Sequence, residues 1–390
     1  MKKNILLLSN CSTRGNTGGL TGKFVDMLRL NSDLINIDIL DISFVKKSNP
    51  EVFHANRCFS VSYNAVIWLF LKLPRFRRFA REYYVKKTME KLFKTTTYNL
   101  LVIYELPIYV DSLVTTAHKN NTKVLLYPWG SDILRANRYK IGRIGKAIKE
   151  SDYIGGYRNS GTINYILQNF LFDKEKISLF SVVVPGIREI EHLENKYSRL
   201  EMSQELNISL SEMNIVCGYN GVEGQRHREI IESICKIKDK LPEGYQLIFP
   251  ITYGNSQDYY QELKDLCHDY QLRAVFLENF LTSKQMAFLH LVTDLFINVQ
   301  PTDNGNAFLM EALSANNIVI VGKWLNYPQF EQYGVPYYQC ETLDHLHLDI
   351  ESVINGNFNS KVPEELIHEL RSHTQEKLKK EWSIFINYKI

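Results

Sequence analysis

The sequence has little of what marks a disulfide-stapled, metal-binding or membrane-spanning protein. Its six cysteines are scattered, with no Cys-x-x-Cys pair and no cysteine–histidine cluster at metal-ligand spacing. The longest apolar run, residues 65–71, is far shorter than the roughly 20 residues that a membrane helix needs. The first apolar run covers only residues 5–8, which predicts a strand and not a signal peptide. These absences favour a protein of the reducing cytoplasm.

Common nucleotide-binding motifs are also missing. The first Gly-rich turn, CSTRGNTGGLTGKF, has Thr17 and Phe24 where a Walker loop needs Gly and Ser or Thr. The sequence has no G-x-G-x-x-G fingerprint, so neither ATP hydrolysis nor NAD chemistry is indicated. No Asp-x-Asp occurs either, so we expect no metal ion to bridge a bound diphosphate.

The 390 residues are enough for two domains, and 45% hydrophobic with 23% charged residues is typical of a globular protein. The net charge of +3 hides an asymmetry between the halves. Residues 1–190 carry 29 Lys and Arg against 15 Asp and Glu, whereas residues 191–390 carry 17 against 28. A basic first half suggests an anionic partner, such as phospholipid head groups, a diphosphate-linked acceptor or nucleic acid. Alternatively, one domain is simply rich in Lys and Arg.

Short apolar segments alternate with helical patterns along the chain, which predicts parallel sheets made of βα units. The predicted strands are 5–8, 35–40, 100–104, 124–127, 179–184, 214–218, 245–251, 274–277, 294–298 and 318–321. A charged stretch at 188–212 is interpreted as the linker. We predict domains at 1–187 and 188–363, followed by a last helix beginning at 364. The expected architecture is two doubly wound parallel-sheet domains facing each other across a cleft.

The most informative segment is NVQPTDNGNAFLMEALSANNIVIVGK, residues 298–323. Asp303 precedes a predicted helix and Glu311 lies within it, eight residues later. That spacing is a little over two helical turns, so both acids can point into one cleft. The loop and the helix N-terminus, including Asn306, offer N–H groups to an anion. The alternative is an ordinary helix in which Glu311 is a solvated surface acid.

Three loops are further candidates for binding phosphate or sugar. The first Gly-rich turn holds Gly18 and Gly19, although a tight turn alone would also need glycine. NIVCGYNGVEGQRHREII brings Gly221 before Arg226, which could contact a phosphate or could be a solvated helix arginine. The third, PITYGN at residues 250–255, follows another strand, and its Tyr253 is a candidate only through the family resemblance described below.

The first domain contains YPWGSDIL, in which Asp132 follows the strand predicted at 124–127. A carboxylate at the end of a parallel strand could orient or deprotonate an acceptor hydroxyl, or could cap the next helix. Residues 72–91 carry eight basic and two acidic residues with four aromatics between them, Phe76, Phe79, Tyr83 and Tyr84. Such a helix can lie on an anionic membrane, or it can be a solvated basic helix with its aromatics in the core.

These motifs resemble the nucleotide-sugar-dependent glycosyltransferases of the GT-B fold, especially family 4, and bacterial lipid-linked-sugar transferases. Asp303 stands where family 4 has Glu. The usual Lys-Gly pair is absent, and Arg226 provides the basic group instead. The resemblance implies that Glu311 binds the ribose hydroxyls and that Asp303 lies near the transferred sugar. It also implies that Arg226 meets the donor diphosphate, and that Gly18 and Gly19 project into the cleft.

We therefore expect a glycosyltransferase that moves a sugar from a nucleotide-diphosphate donor, with a UDP-sugar favoured, to a lipid-linked or glycan acceptor in bacterial surface polysaccharide assembly. The resemblance favours retention of stereochemistry and a terminal helix that crosses back to the first domain, whereas the missing Asp-x-Asp leads us to expect catalysis without cofactor or metal. Because no nucleic-acid module is visible, the expected anionic partner is the inner face of the cytoplasmic membrane. The alternatives are a GT-B-type nucleotide-sugar epimerase and a non-catalytic scaffold of a glycan-assembly complex.

Overall fold

The computed structural model describes residues 2–10, 19–44, 54–61, 73–157, 160–181, 183–303, 305–325, 327–356 and 361–390. The strands are β1 (Lys3–Ser9), β2 (Ile35–Asp41), β3 (Arg57–Ser60), β4 (Leu100–Tyr104), β5 (Lys123–Tyr127), β6 (Tyr153–Tyr157), β7 (Ile177–Phe180), β8 (Met213–Cys217), β9 (Tyr245–Pro250), β10 (Ala274–Leu277), β11 (Leu295–Asn298), β12 (Ile318–Gly322) and β13 (Tyr338–Cys340).

The helices are α1 (Gly19–Arg29), α2 (Pro74–Thr95), α3 (Val110–His118), α4 (Gly130–Leu134), α5 (Arg138–Glu150), α6 (Gly161–Asn169), α7 (Pro185–Leu193), α8 (Arg199–Glu205), α9 (His227–Lys236), α10 (Gln257–Asp269), α11 (Ser283–Val292), α12 (Ala307–Ser314), α13 (Pro328–Glu331), α14 (Leu346–Ile354), α15 (Glu364–Ser372) and α16 (Gln375–Tyr388). Two compact units result, Met1–Val182 with Thr374–Ile390 and Val183–His373.

The first unit is built on a seven-stranded parallel sheet in the order β3-β2-β1-β4-β5-β6-β7. Its central strand β4 reads LLVIY and is buried throughout, as expected of a parallel strand covered on both faces. Val85 and Met89 of α2 and Leu113 of α3 belong to the same buried core. The strand order reverses between β1 and β4, because β2 and β3 are added on one side of β1 and β4 to β7 on the other.

The second unit is built on a six-stranded parallel sheet in the order β10-β9-β8-β11-β12-β13. Strands β8, β9 and β11 are buried along their whole length, and Ile230, Ile231 and Ile234 of α9 pack into their core. Here the reversal falls between β8 and β11. The prediction of two doubly wound parallel-sheet domains is confirmed.

The end of the chain differs from the predicted single helix. Two helices form, α15 in the second unit and α16 in the first, because Thr374 starts a new helix by accepting a hydrogen bond from the Lys377 amide at 3.1 Å. Trp382 of α16 is fully buried and stacks on Phe180, with 4.0 Å between ring centroids. Only the part after His373 therefore belongs with the first unit.

The predicted linker at 188–212 is also corrected. Strand β7 ends at Phe180, and α7 and α8 occupy most of the segment as part of the second unit. The charged residues of α7 lie beside Ile187, Ile190 and Leu193, which are buried. A low count of apolar residues concealed an amphipathic helix whose few apolar side chains share one face.

Three strands were missed, namely β3, β6 and β13. Strand β6 reads YIGGY, and its paired glycines weaken any strand propensity. A Cβ at Gly155 would lie 2.6 Å from the Tyr127 ring, so neighbouring side chains and not local preference explain this strand. The outermost strands β3 and β13 have only four and three residues, too few to show a pattern.

Candidate functional site

The candidate donor site lies at the carboxyl edge of the second sheet. Parallel strands all end at the same edge, and ligands of such sheets bind where the strand order reverses. In this unit the reversal falls between β8 and β11, which lead into the loop 218–226 and into the connection to α12. Gly221, Arg226, Asp303 and Asn306 therefore belong to loops that leave the sheet at its switch point.

Asp303 is held by side chains around the entrance to α12. Its Oδ2 accepts hydrogen bonds from Asn306 Nδ2 at 2.5 Å, from the Tyr327 hydroxyl at 2.6 Å and from Asn298 Nδ2 at 3.4 Å. Asn306 also caps α12, because its Oδ1 accepts from the Leu309 amide at 2.8 Å. Asp303 is thus fixed to the start of the helix that carries Glu311.

Glu311 has different partners. Its residue is 7% exposed, and its Oε2 lies 3.1 Å from Nε2 of the fully buried His290. A Cβ placed on Gly186 would lie 2.1 Å from Oε1, so the carboxylate rests against the bare backbone of the first turn of α7. The alternative of a solvated surface acid is excluded.

Gly221 and Tyr253 are brought together at the ends of β8 and β9. The Gly221 amide donates to the Tyr253 carbonyl at 2.8 Å, and a Cβ at Gly221 would lie 2.5 Å from that of Asn255. The exposed Tyr253 ring stacks on Phe280 with 5.8 Å between centroids. Sequence reasoning missed Phe280, although it follows β10 at the same edge.

Arg226 and His227 begin α9 and differ in what they can offer an anion. Arg226 has a left-handed backbone (φ 65°), and its Nη1 donates to Glu229 on the same helix at 2.9 Å. Both side chains are about one third exposed. Burial lowers the pKa of His227 to about 4, so this imidazole is neutral near pH 7. Of these two residues, Arg226 is therefore the one that offers a positive charge to an anion.

A buried amide network, also missed from the sequence, crosses the switch point. Gln225 Oε1 accepts from the Tyr219 amide at 3.2 Å, and Gln225 Nε2 donates to Gln300 Oε1 at 3.2 Å. Burial, reinforced by the charge of Asp303, raises the pKa of Tyr219 to about 12. The loops after β8 and β11 are far apart in the sequence, and it is the strand order of the folded sheet that makes them neighbours.

Asp132 lies at the equivalent edge of the first unit. Its Oδ2 accepts from the Leu106 amide at 2.6 Å and from the Trp129 amide at 3.1 Å, so it joins the end of β4 to the start of α4. Burial raises the pKa of Asp132 to about 6 despite these two hydrogen bonds. The structure thus supports the capping interpretation.

Two more titratable groups interact with Asp132. Glu105 follows β4 with a left-handed backbone (φ 65°), and burial raises its pKa. Lys140 lies in the first turn of α5. Burial lowers its pKa, and the negative charges of Asp132 and Glu105 partly oppose that shift. Shifted pKa values and a strained non-glycine backbone tend to occur at functional sites. Of the predicted residues near this edge, Gly19 begins α1, and Gly18 lies outside the described residues.

Helix α2 exposes aromatic rings along one side of its first half. Phe76, Phe79 and Tyr83 are 52%, 60% and 57% exposed and are spaced as on one helix face. Arg78 lies over the rings of both Phe79 and Tyr139, at 4.7 and 4.5 Å from their centroids. Phe76, Phe79, Tyr83 and Tyr139 form what we call the exposed aromatic face. Tyr84 instead packs against the core.

In the part of the chain that the structure describes, no group of three or more His, Cys, Asp or Glu side chains is arranged to hold a metal ion. Among the helices of that part, none combines the length and the apolar character needed to cross a membrane.

Comparisons with known proteins identify the fold. No protein-family model and no curated protein matches the sequence. A glycosyltransferase from Rickettsia africae has a TM-score of 0.69 at 11% identity, covering 99% of this chain and 98% of its own. WaaG, a glycosyltransferase involved in lipopolysaccharide biosynthesis, has a TM-score of 0.68 at 11% identity, covering 98% and 100%. Anabaena HepE in complex with UDP and glucose has a TM-score of 0.64 at 12% identity, covering 99% of both chains.

The two parallel-sheet units and these neighbours together define the GT-B fold. The resemblance that the sequence motifs suggested is confirmed at the level of the fold, over nearly the whole chain. A shared fold does not fix the chemistry, which depends on the residues of this chain.

The buried charge of Asp132 predicts a pH-dependent stability. The folded pKa of about 6 lies above that of an unfolded Asp, about 3.9, so the native state binds more protons between these values. The free energy of unfolding should then fall as the pH rises from about 4 to about 7. Asp132→Asn keeps an acceptor for both amides and should gain roughly 3 kcal/mol on the wild type over this range.

Urea unfolding at a series of pH values measures this difference, and Asp33→Asn, at an exposed position of the same unit, is the matched control. A constant difference between Asp132→Asn and the wild type would contradict the assignment of a charged, buried Asp132.

Proposed function

We propose that the protein is a glycosyltransferase that moves a sugar from a nucleotide-diphosphate donor to an acceptor. The observation that carries the proposal is the placement of Asp303 and Glu311 beside the switch point of the second sheet, in a chain with the GT-B fold. Two of the solved neighbours are glycosyltransferases, and a third is in complex with UDP and glucose, which supports this proposal and favours a UDP-sugar donor.

In this proposal Glu311 binds the ribose hydroxyls and Asp303 lies near the transferred sugar. The three donors on Asp303 hold one oxygen in place, which is how a group must be fixed to act on a particular sugar atom. Asn306 serves the same end because it joins Asp303 to the helix. Gly221 allows the close approach of two loops, and Tyr253 offers an exposed ring at the same edge.

The leaving diphosphate needs positive charge, for which we propose Arg226 and the loop amides, without a metal ion. The ion pair of Arg226 with Glu229 is partly exposed, and such pairs contribute only about 0–1 kcal/mol. Arg226 can therefore exchange Glu229 for a phosphate at little cost, and a bidentate contact with phosphate would be stronger.

The acceptor site is proposed at the carboxyl edge of the first unit, around Asp132. A carboxyl with a pKa of about 6 can accept a proton from a hydroxyl near neutral pH, and Glu105 and Lys140 tune that pKa. An inverting reaction would use Asp132 as the base. The family resemblance favours retention, in which Asp132 would instead orient the acceptor.

The acceptor is proposed to be lipid-linked and presented at the inner face of the cytoplasmic membrane. Helix α2 carries eight basic and two acidic residues, and the exposed aromatic face, to which it contributes three rings, suits the lipid head-group region. A role in bacterial surface polysaccharide assembly agrees with the involvement of WaaG in lipopolysaccharide biosynthesis.

One observation favours a non-catalytic scaffold as the second candidate. Glu311 already has a buried partner, so it could serve the packing of the second unit alone. Donor binding separates the two functions, because a scaffold would not require it.

The donor assignment predicts distinct effects for the two acids. Glu311→Gln keeps the acceptor for His290 but removes the charge, so affinity for UDP should fall about tenfold or more, since hydrogen bonds to charged groups contribute about 1.5–3 kcal/mol. Asp303→Asn should leave affinity for the free nucleotide unchanged and lower turnover. Calorimetry with UDP, GDP and dTDP tests this, and failure of the wild type to bind any of them would favour the scaffold.

The acceptor assignment predicts a kinetic effect at Asp132. If Asp132 is the base, Asp132→Asn should lower turnover by about 10²-fold to 10⁴-fold, and the wild-type rate should rise as the pH passes about 6. Release of UDP from a UDP-sugar, with a bacterial lipid extract as acceptor, is the measurement. Full activity in the variant would show that Asp132 only joins β4 to α4.

The membrane assignment predicts salt-sensitive binding to anionic vesicles. Arg77→Gln, Arg78→Gln and Lys87→Gln together should weaken sedimentation with such vesicles, because each charge near the surface contributes about 1 kcal/mol. The control removes equal charge elsewhere in the first unit, through Lys119→Gln, Lys379→Gln and Lys380→Gln. Equal loss in both triple variants would point to net charge and not to the exposed aromatic face.

A further inference from the structure

The carboxylate of Glu311 is held from a neighbouring helix by one side chain. His290, on α11, places Nε2 at 3.1 Å from Oε2, and both groups are buried. A carboxylate can only accept, so Nε2 is the donor of this hydrogen bond. The hydrogen bond therefore fixes one oxygen of Glu311.

His290 contributes little else that packing would require. Its ring contacts Phe308, with 4.3 Å between centroids, and its Nδ1 is buried without a hydrogen-bond partner among the described residues. Leaving a buried polar atom unpaired costs free energy, and an apolar ring would fill the same space without that cost. The histidine is therefore better explained by what it does to Glu311 than by stability.

The opposite oxygen is bounded by backbone. The missing side chain of Gly186 leaves just enough room for Oε1 at the start of α7. The Glu311 side chain is 10% exposed, so it is not fully closed off from solvent. A carboxylate has about four acceptor positions, so the bond from His290 leaves enough of them for two hydroxyl groups.

We propose that His290 is a positioning residue that holds Glu311 for the adjacent 2′- and 3′-hydroxyls of a ribose, and so makes the site select ribonucleotides over 2′-deoxyribonucleotides. The inference rests on the proposed function. A site built to accept a hydroxyl discriminates strongly against a ligand that lacks it, provided that its buried acceptor is held in place. A loosened carboxylate can turn away from the missing hydroxyl and discriminates less.

The test compares UDP with 2′-deoxy-UDP by calorimetry. In the wild type we expect UDP to bind at least about tenfold more tightly, the equivalent of one charge-assisted hydrogen bond. His290→Phe keeps the aromatic contact with Phe308 but cannot donate, so it should weaken UDP binding and bring the ratio close to one. Leu289→Met, a buried change of similar volume on the same helix, controls for a general loss of stability.

A second variant, at Gly186, tests the other oxygen of the Glu311 carboxylate. Gly186→Ala should displace Oε1 and reduce the same ratio, whereas Gly142→Ala, whose Cβ would meet nothing within 4 Å, should not. In addition, His290→Phe combined with Glu311→Gln should bind UDP no more weakly than Glu311→Gln alone, because both act on one interaction.

The outcomes separate the two claims. If the wild type binds neither nucleotide, the proposed function fails and the inference fails with it. If the wild type discriminates, and His290→Phe loses melting temperature but keeps the ratio, His290 is purely structural and the inference alone is overturned. Loss of the ratio in His290→Phe and Gly186→Ala, but not in their controls, supports it.

Discussion

Parallel strand pairing is the constraint on which the rest of this structure depends. Each pair of adjacent strands described here runs in the same direction, so every connection must cross the sheet and every strand ends at the same edge. The order reverses once in each sheet, between β1 and β4 and between β8 and β11. Of the groups that we interpret as functional, Asp132 lies in the short helix α4 that follows β5, and Asp303 lies in the loop that follows β11.

Buried charge separates these sites from the ordinary surface. Burial raises the pKa of Asp132 to about 6, because the charged carboxylate is removed from water. Hydrogen bonds from two backbone amides stabilise the charged form and partly offset that rise. The buried carboxylate of Glu311 has other neighbours: one oxygen is hydrogen-bonded to the His290 imidazole, and the other lies against the backbone of Gly186. Neither arrangement is what stability alone would favour, because buried ionisable groups are weak stabilisers at best. We therefore interpret both carboxylates as parts of the proposed sites.

Much of the fold followed from local pattern. Strands such as β4 and β8 are continuous apolar runs, and their burial on both faces is what such runs indicate. The pattern failed where neighbours decided the conformation, as in β6, where Gly155 fits against Tyr127. It failed also at α7, where charged residues surround a buried stripe. For the site, the spacing of Asp303 and Glu311 was visible in the sequence, but their partners were not.

The sequence alone determined the alternation of strands and helices, the basic first half, and the two acids eight residues apart, because these depend on residues close along the chain. Only the tertiary structure decided that His290 and Gly186 enclose Glu311, and that Glu105 and Lys140 influence Asp132. His290 precedes Glu311 by 21 positions and belongs to another helix. Contacts of this kind arise from packing, and no local pattern records them.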